Sequence, residues 1–453
     1  MRILHISTRL ILGGSQENTL LSCEGQARLG HEVHLAFGPI YGPGGSLLAR
    51  VEAFNARCAD GGERVRAVGG AASVRPAGEM VQPITTHELP RLVREVHAFF
   101  DHMCFHRELR PLLRRLAPGV VHTHSSKAGV LGRWAAWREV RKSAAIIHTI
   151  HGPPFMPVPN SAEAGEAGRL KVRLSNFGYT VAERFAAARC HGIVSVADAM
   201  TAEFLSRGIG RPELYTTVRS GIETGPYLNA APGEGREAIR AVLGFASDDF
   251  VVGTVARLAQ HKGHDDLLDA LGSVLREQPR VKLLWVGDGW LKEALLARAR
   301  AMGLVVRDAR RGGASAAEEE CAQVVVTGLL PPEQIPLMMR AMDVLAHPSY
   351  REGLPRTLPQ ALLSEVPVVA YDCDGTREVC IDVVADAERG TGRLVAVGDR
   401  DGLREAVLWM REHAEARAAM GRRGRAMCLE MFDAEVMVAR LEEVYKGASP
   451  RRV

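Results

Sequence analysis

VLAHPSYREGLPRTLPQALLSEVPVVA, residues 344–370, decides the architecture. Val344–His347 is an apolar run of strand length, and a polar loop through Glu352 and Gly353 follows it. A helix opens near Pro355, whose ring lacks the N–H that a first turn leaves unused. Val366–Ala370 is then a second apolar strand. Near-continuous apolar strands on either side of a helix predict a parallel pair buried on both faces, because a half-wet antiparallel strand would alternate.

The same alternation extends in both directions. Towards the C-terminus and just upstream, strands are expected at Phe250–Ala256, Val281–Val286, Val324–Thr327 and Leu394–Val397, with helices opening near His264, Trp290, Pro332, Thr357 and Arg377. In the N-terminal half, strands are expected at Ile3–Ser7, Val33–Phe37, Val120–His124, Ala145–His151, Ile193–Val196 and Tyr215–Val218. Helical patterns fill Ser15–Leu29, Glu88–Leu116, Ala128–Arg141, Leu170–Arg189 and Asp198–Arg207. Thr224–Gly235, TGPYLNAAPGEG, reads as a linker. The expectation is an α/β chain of two doubly wound Rossmann-like domains facing a cleft. Residues 1–225 form the first domain and 226–425 the second, while 426–453 supply a helix crossing back to the first. Ala53–Val81 and Asp308–Glu320 lack periodicity and read as inserted surface loops.

Composition agrees with two globular domains: 453 residues exceed one ordinary core, with 46% hydrophobic and 24% charged residues. Residues 1–225 hold 27 Lys+Arg against 19 Asp+Glu, a net of +8, so the remainder is net negative. A basic half suits an anionic partner. Within it, HRELRPLLRRL (106–116) alternates Arg107, Arg110, Arg114 and Arg115 with leucines, an amphipathic spacing compatible with an anionic membrane surface or with a core helix showing a basic edge. The eight cysteines form no CxxC pair, which fits a reducing compartment. MRILHIS enters a strand at once, and no apolar run approaches the ~20 residues of a membrane span. A cytoplasmic protein, soluble or peripheral at the inner membrane face, is expected.

Chemistry is sought at the carboxyl ends of the strands, where helix N-termini present free N–H groups to anions. Gly13 and Gly14 follow the first strand and let backbone approach a ligand at a helix capped by Ser15. Arg257 and Lys262 leave the strand Phe250–Ala256 before a helix at His264. Together they offer a planar fork and a point charge, which suit a diphosphate. Glu352, at the loop apex, can accept hydrogen bonds from sugar hydroxyls while neighbouring N–H groups hold phosphate. His151 closes a strand and meets the rigid turn Gly152-Pro153-Pro154. His5, His122, His124 and His148 read as core histidines; His122 and His124 share a strand face, but no third metal ligand is evident.

EGLPRTLPQALLSEVPVVA resembles the donor-binding segment of the GT-B glycosyltransferases of family 4, and other pieces resemble that family in the same order. These are GGSQENTLL, VVHTHSSKAGVLGR, HTIHGPPF, VARLAQHKGHDDLLDAL, WVGDG and VVVTGLL. The resemblance implies a retaining transfer from a nucleotide-sugar donor to a glycan or polyprenyl-linked acceptor, loosely in surface polysaccharide synthesis. No metal is expected, because no ligand cluster accompanies Asp372 and Asp374 and Arg257 with Lys262 supplies positive charge, and no nucleic acid, because the basic half has few aromatics and no recognised RNA or DNA motif. The resemblance also implies that Arg257 and Lys262 neutralise the pyrophosphate and that Glu352 contacts the sugar beside the N–H groups of Gly353 and Leu354. His151 would reach the sugar, and Gly14 would admit the diphosphate. Two positions depart from the family pattern. Gln360 stands where a second Glu normally binds the ribose, and Ser220-Gly221-Ile222-Glu223 replaces Asn-Gly-Ile-Asp. Asp372-Cys373-Asp374 spells a metal motif of another fold but reads as a loop start. A non-catalytic nucleotide-sugar-binding partner is the alternative; an oxidoreductase is disfavoured because the first βα turn lacks GxGxxG.

Overall fold

The computed structural model describes residues 1–40, 45–152, 154–155, 161–309 and 322–448, with the side chains of 161–167 excepted. The chain divides into two compact units, Met1–Ile222 with Phe432–Val453, and Glu223–Met431. The expected limits at 225 and 425 move because the helix Ala414–Met431 runs unbroken through the second of them.

The first unit holds a seven-stranded parallel sheet. Its strands are β1 (Arg2–Ser7), β2 (Glu32–Phe37), β3 (Thr85–Glu88), β4 (Val120–His124), β5 (Ala145–Ile150), β6 (Gly192–Ser195) and β7 (Tyr215–Thr217), in the order β3-β2-β1-β4-β5-β6-β7. The central strands bury both faces, as their unbroken apolar runs require: Ile3 lies in one core cluster, Leu4 and Ile6 in another. The helix Ala434–Gly447 covers the first of these faces. Met437, Val438, Leu441 and Tyr445 pack there with Ile3, Val120, Ile147 and Val194, and each such burial stabilises by ~1.5–3 kcal/mol.

Two expectations in this unit are corrected. Ala53–Val81 is not a surface insertion: the helix Leu48–Ala59 buries Val51, Phe54 and Cys58 in the core, and Val65, Val68 and Val81 are buried after it. Helix does not begin at Glu88; it begins at Ala98 and passes through a π-helical turn, Cys104–Leu109, into Arg110–Leu116. In that stretch Leu109, Leu112, Leu113 and Leu116 all face the core, and Arg110 and Arg114 both bind Glu139. The core-helix reading of 106–116 therefore holds.

The second unit repeats the plan. Its sheet contains β8 (Phe250–Val255), β9 (Val281–Val286), β10 (Val306–Asp308), β11 (Val324–Gly328), β12 (Val344–His347), β13 (Val368–Tyr371) and β14 (Gly392–Val395), ordered β10-β11-β9-β8-β12-β13-β14 and parallel throughout. β10 ends at Asp308, the first residue of the expected Asp308–Glu320 insertion; from 310 onward that segment lies outside the described residues. Near Arg377 there is only a 3-10 turn, Asp374–Glu378. Among the described residues no helix is long and apolar enough to cross a membrane.

Candidate functional site

In the second unit the strand order reverses between β8 and β12, so the loops leaving these neighbours rise together. Gly263 ends the first loop at φ 67°, and a Cβ there would lie 2.0 Å from the carbonyl oxygen of Pro348 in the second. Glycine alone satisfies both demands. The Tyr350 N–H donates to the His261 carbonyl at 2.9 Å, and its hydroxyl donates to Asp266 at 2.5 Å. Asp266 also takes the Tyr371 hydroxyl at 2.9 Å and the Arg400 guanidinium at 2.8 Å, so the loop rests on a fully engaged buried carboxylate.

Glu352 stands at the centre of this loop. Its Oε1 accepts from His347 Nε2 at 3.0 Å and from the Lys262 ammonium. Its backbone N–H donates to Asp374 at 2.7 Å, a residue held in the left-handed region at φ 42°. Burial works against the charged carboxylate, but the Lys262 charge and the His347 hydrogen bond outweigh it and hold Glu352 well below the usual carboxylate range. Both bonds fall on Oε1, so Oε2 accepts none among the described residues. The N–H groups of Gly353 and Leu354 likewise have no partner among the described residues. The structure thus pairs Lys262 with Glu352, two residues that the sequence assigned to different parts of a ligand.

Arg257 differs. It is exposed and makes no side-chain hydrogen bond or ion pair among the described residues. Gln360 is the fourth residue of the helix Thr357–Leu363, buried, with no side-chain hydrogen bond among the described residues. That helix starts two residues after Pro355, with Arg356 as its cap. Asp372 and Asp374 follow the end of β13. The first pairs with Arg377 and the second holds the Glu352 backbone, so each carboxylate is occupied.

In the first unit the order reverses between β1 and β4. Gly13 precedes the helix Gly14–Arg28 in an extended conformation, so the helix begins at Gly14 and Ser15 lies inside its first turn. The Ser15 hydroxyl bonds Gln16 at 2.8 Å instead of capping, which corrects the expectation. Gly13 and Gly14 are both exposed. The loops after β1 and β4 are tied by Thr8 Oγ1 and Ser125 Oγ at 2.7 Å, with Ser125 at φ 62°.

His151 follows β5 and is bonded through Nε2 to His124 Nδ1 at 3.0 Å. His124 Nε2 meets His5 Nδ1 at 3.0 Å, and His5 Nε2 meets Gln26 Oε1 at 2.7 Å. His122 Nδ1 and Nε2 meet the Tyr445 hydroxyl and Thr149 Oγ1, both at 2.6 Å. Burial lowers His5 to about 4, and burial, followed by the neighbouring histidines, also lowers His122 and His124 well below the ordinary histidine value. The third member missing from the sequence reading of His122 and His124 is His5. The three rings place one nitrogen each within 4.8 Å of one another. Every nitrogen in them already serves a hydrogen bond, so a cation would have to displace those bonds. His347 and Gln26 are the working residues the sequence did not single out, and Asp374, read there only as part of a loop start, supports Glu352. The one local signal was His347, a polar residue closing an apolar strand.

Two family models account for most of the chain. Glycosyltransferase Family 4 matches residues 12–225, and Glycosyl transferases group 1 matches residues 235–427. The chain is 23% identical over 349 residues to EpsD of Bacillus subtilis, a protein named as a glycosyltransferase, across 77% of this chain and 81% of EpsD. It is 20% identical to the capsular polysaccharide biosynthesis glycosyltransferase CapM of Staphylococcus aureus, across 74% of this chain and 78% of CapM. Anabaena Alr3699/HepE, solved in complex with UDP, matches at a TM-score of 0.69 and 18% identity over 99% of this chain and 100% of that one. A likeness at that identity speaks for the fold.

Proposed function

The chain belongs to glycosyltransferase family 4, with the GT-B fold, and from that premise we propose that it transfers a sugar, with retention, from a nucleoside diphosphate to a glycan or polyprenyl-linked acceptor in surface polysaccharide synthesis. The observation that carries the reading is Glu352, ionised and fixed by Lys262, His347 and Asp374, beside the two available N–H groups of Gly353 and Leu354. Oε2 accepts a sugar hydroxyl while those N–H groups and Arg257 bind the diphosphate, Arg257 as a planar fork. Lys262 adds its charge, Gly14 admits the diphosphate to the first loop, His151 takes a further sugar hydroxyl and Gln360 the ribose. The bond from the anomeric carbon to the phosphate oxygen breaks. That oxygen takes the acceptor proton on the face where the new bond forms. Positioning and stabilisation of the departing charge are the protein's share. The two cations make a divalent metal unnecessary. The names of EpsD and CapM support the polysaccharide setting, and HepE's complexes with UDP and UDP-glucose make a UDP-sugar the first donor to try.

A thermal-shift panel of UDP, GDP, ADP and TDP, run in EDTA, tests this reading. A true ligand at 100 times its dissociation constant adds about 2.7 kcal/mol. No shift with any nucleotide, or one only after magnesium or manganese is restored, counts against it. A lipid-borne acceptor reached peripherally from the cytoplasmic side has a separate support. On the helix Ser161–Ala187, the residues Leu170, Leu174, Phe177, Val181 and Phe185 are exposed at helical spacing, among the exposed Lys171 and Arg173. Equal flotation with anionic and neutral liposomes at low salt would remove that part.

A further inference from the structure

We infer that Gln26 is a positioning residue that fixes which ring nitrogen of His151 carries the proton, acting through His5 and His124. The inference rests on the reading above only for its purpose, a His151 that faces a sugar hydroxyl; the chain of bonds stands independently of it.

A neutral imidazole has one N–H and one bare nitrogen, and an amide oxygen can only accept. These two facts settle the chain in sequence. Gln26 Oε1 faces His5 Nε2 at 2.7 Å, so His5 carries its proton on Nε2 and leaves Nδ1 bare. That bare nitrogen, 3.0 Å from His124 Nε2, requires an N–H there, which leaves His124 Nδ1 bare. His124 Nδ1 in turn takes the N–H of His151 Nε2 at 3.0 Å. His151 is left with Nδ1 as its acceptor, suited to receive a hydroxyl proton and unable to donate one. Turning the amide over would reverse every proton along the row, so one buried side chain selects between two opposite arrangements.

The second branch is satisfied with the amide in the same orientation. Gln26 Nε2 donates to the Tyr445 hydroxyl at 2.8 Å, Tyr445 donates to His122 Nδ1 at 2.6 Å, and His122 Nε2 donates to Thr149 at 2.6 Å. Each ring nitrogen of His5, His122 and His124 thereby has one partner. Gln26, His5, His122 and His124 are fully or almost fully buried, and burial keeps the rings neutral, which preserves the one-proton rule. Gln26 touches no candidate ligand residue itself; it lies on the helix Gly14–Arg28 and reaches His151 across β1 and β4.

The test is long-range proton–nitrogen NMR on the full chain labelled with 15N-histidine, with the His151 signals identified by their loss in His151→Asn. The expected wild-type result is His151 protonated at Nε2 with Nδ1 bare. Gln26→Leu should move His151 into a mixture or the opposite tautomer, whereas Gln26→Glu, whose ionised carboxylate can only accept, should keep the wild-type form at a pH where that carboxylate is ionised. Turnover at saturating donor should fall about 2- to 10-fold in Gln26→Leu, the weight of one neutral hydrogen bond, and recover in Gln26→Glu. A wild-type His151 protonated at Nδ1 overturns the inference even if neither variant folds, as does a tautomer unchanged in folded Gln26→Leu. If the tautomer is as inferred but a nucleotide sugar that binds leaves the His151 signals unmoved, the sugar contact fails and the inference stands.

Discussion

The two units put their candidate residues at the same place, the carboxyl ends of strands where the sheet order reverses, and equip it with opposite electrostatics. The first unit gathers His5, His122 and His124, driven neutral by burial and joined by hydrogen bonds that carry no net charge. The second gathers Lys262, Glu352 and His347 around a carboxylate held ionised despite burial. A neutral network can lose a member at the cost of a few hydrogen bonds. A buried ion pair that loses one partner leaves a charge in a medium that does not solvate it. The contrast identifies the second unit as the brittle one and the first as the acid-sensitive one.

Lys262→Ala should break the contrast most. It removes the nearest counter-charge of Glu352, so unfolding free energy should drop by ~3–5 kcal/mol and donor use by at least ~10–150-fold, read by denaturant titration and kinetics. A variant as stable as wild type would show that the pair has no structural weight. Acidification should come next and strike the first unit. His5 falls from an ordinary value of 6.5 to about 4. Its stabilisation is therefore present above pH 6.5 and is lost as pH falls towards 4, by about 3 kcal/mol. His122 and His124, also lowered, add to that loss, while Glu352 contributes a loss only below 4.5. Hydrogen exchange between pH 7 and 5 should show β1, β4 and β5 loosening before β8 and β12, and the reverse order would contradict these assignments.

Arg257→Ala sharpens the comparison from the exposed side. With no partner among the described residues to orphan, it should cost ~10–150-fold in donor use and no more than ~0.5 kcal/mol in stability. Equal stability losses in Arg257→Ala and Lys262→Ala would erase the distinction between them. Smallest is Gln360. Gln360→Ala should weaken nucleotide binding by roughly 2- to 10-fold, and Gln360→Glu should tighten it by up to ~10-fold, the step from a neutral to a charged acceptor. Titration with the nucleotide and its 2′-deoxy analogue checks this; identical behaviour of Gln360→Ala and wild type on both removes the ribose contact.

The sheets were legible because buried parallel strands are near-continuous apolar runs, as in Phe250–Val255. β3 and β10 escaped for the opposite reason: TTHE and VRD are short edge strands, defined by a neighbour's hydrogen bonds and not by their own composition. At the site, sequence brought out Glu352, Lys262 and Arg257, since charge beside glycine at a strand end is a local pattern. It could not give the Lys262–Glu352 pair, 90 residues apart, or the Asp374 support, because those depend on which strands lie adjacent. The histidine row was least legible of all. His5 and His124 are separated by 119 residues, and each alone looks like a core histidine.

The first unit is interrupted, and its closing piece arrives late in synthesis. Tyr445 meets His122 across 323 residues of chain, and the helix that carries it covers Ile3, Val120, Ile147 and Val194. At ~5–20 residues per second, the nascent first unit waits roughly 10–45 s after Ile222 has been added, one face of its sheet only partly covered, by Leu21, Leu29 and Val68, while the whole second unit is made. During that interval the exposed face is a surface for chaperones or for aggregation, and Gln26 has no hydroxyl to hold its amide in place.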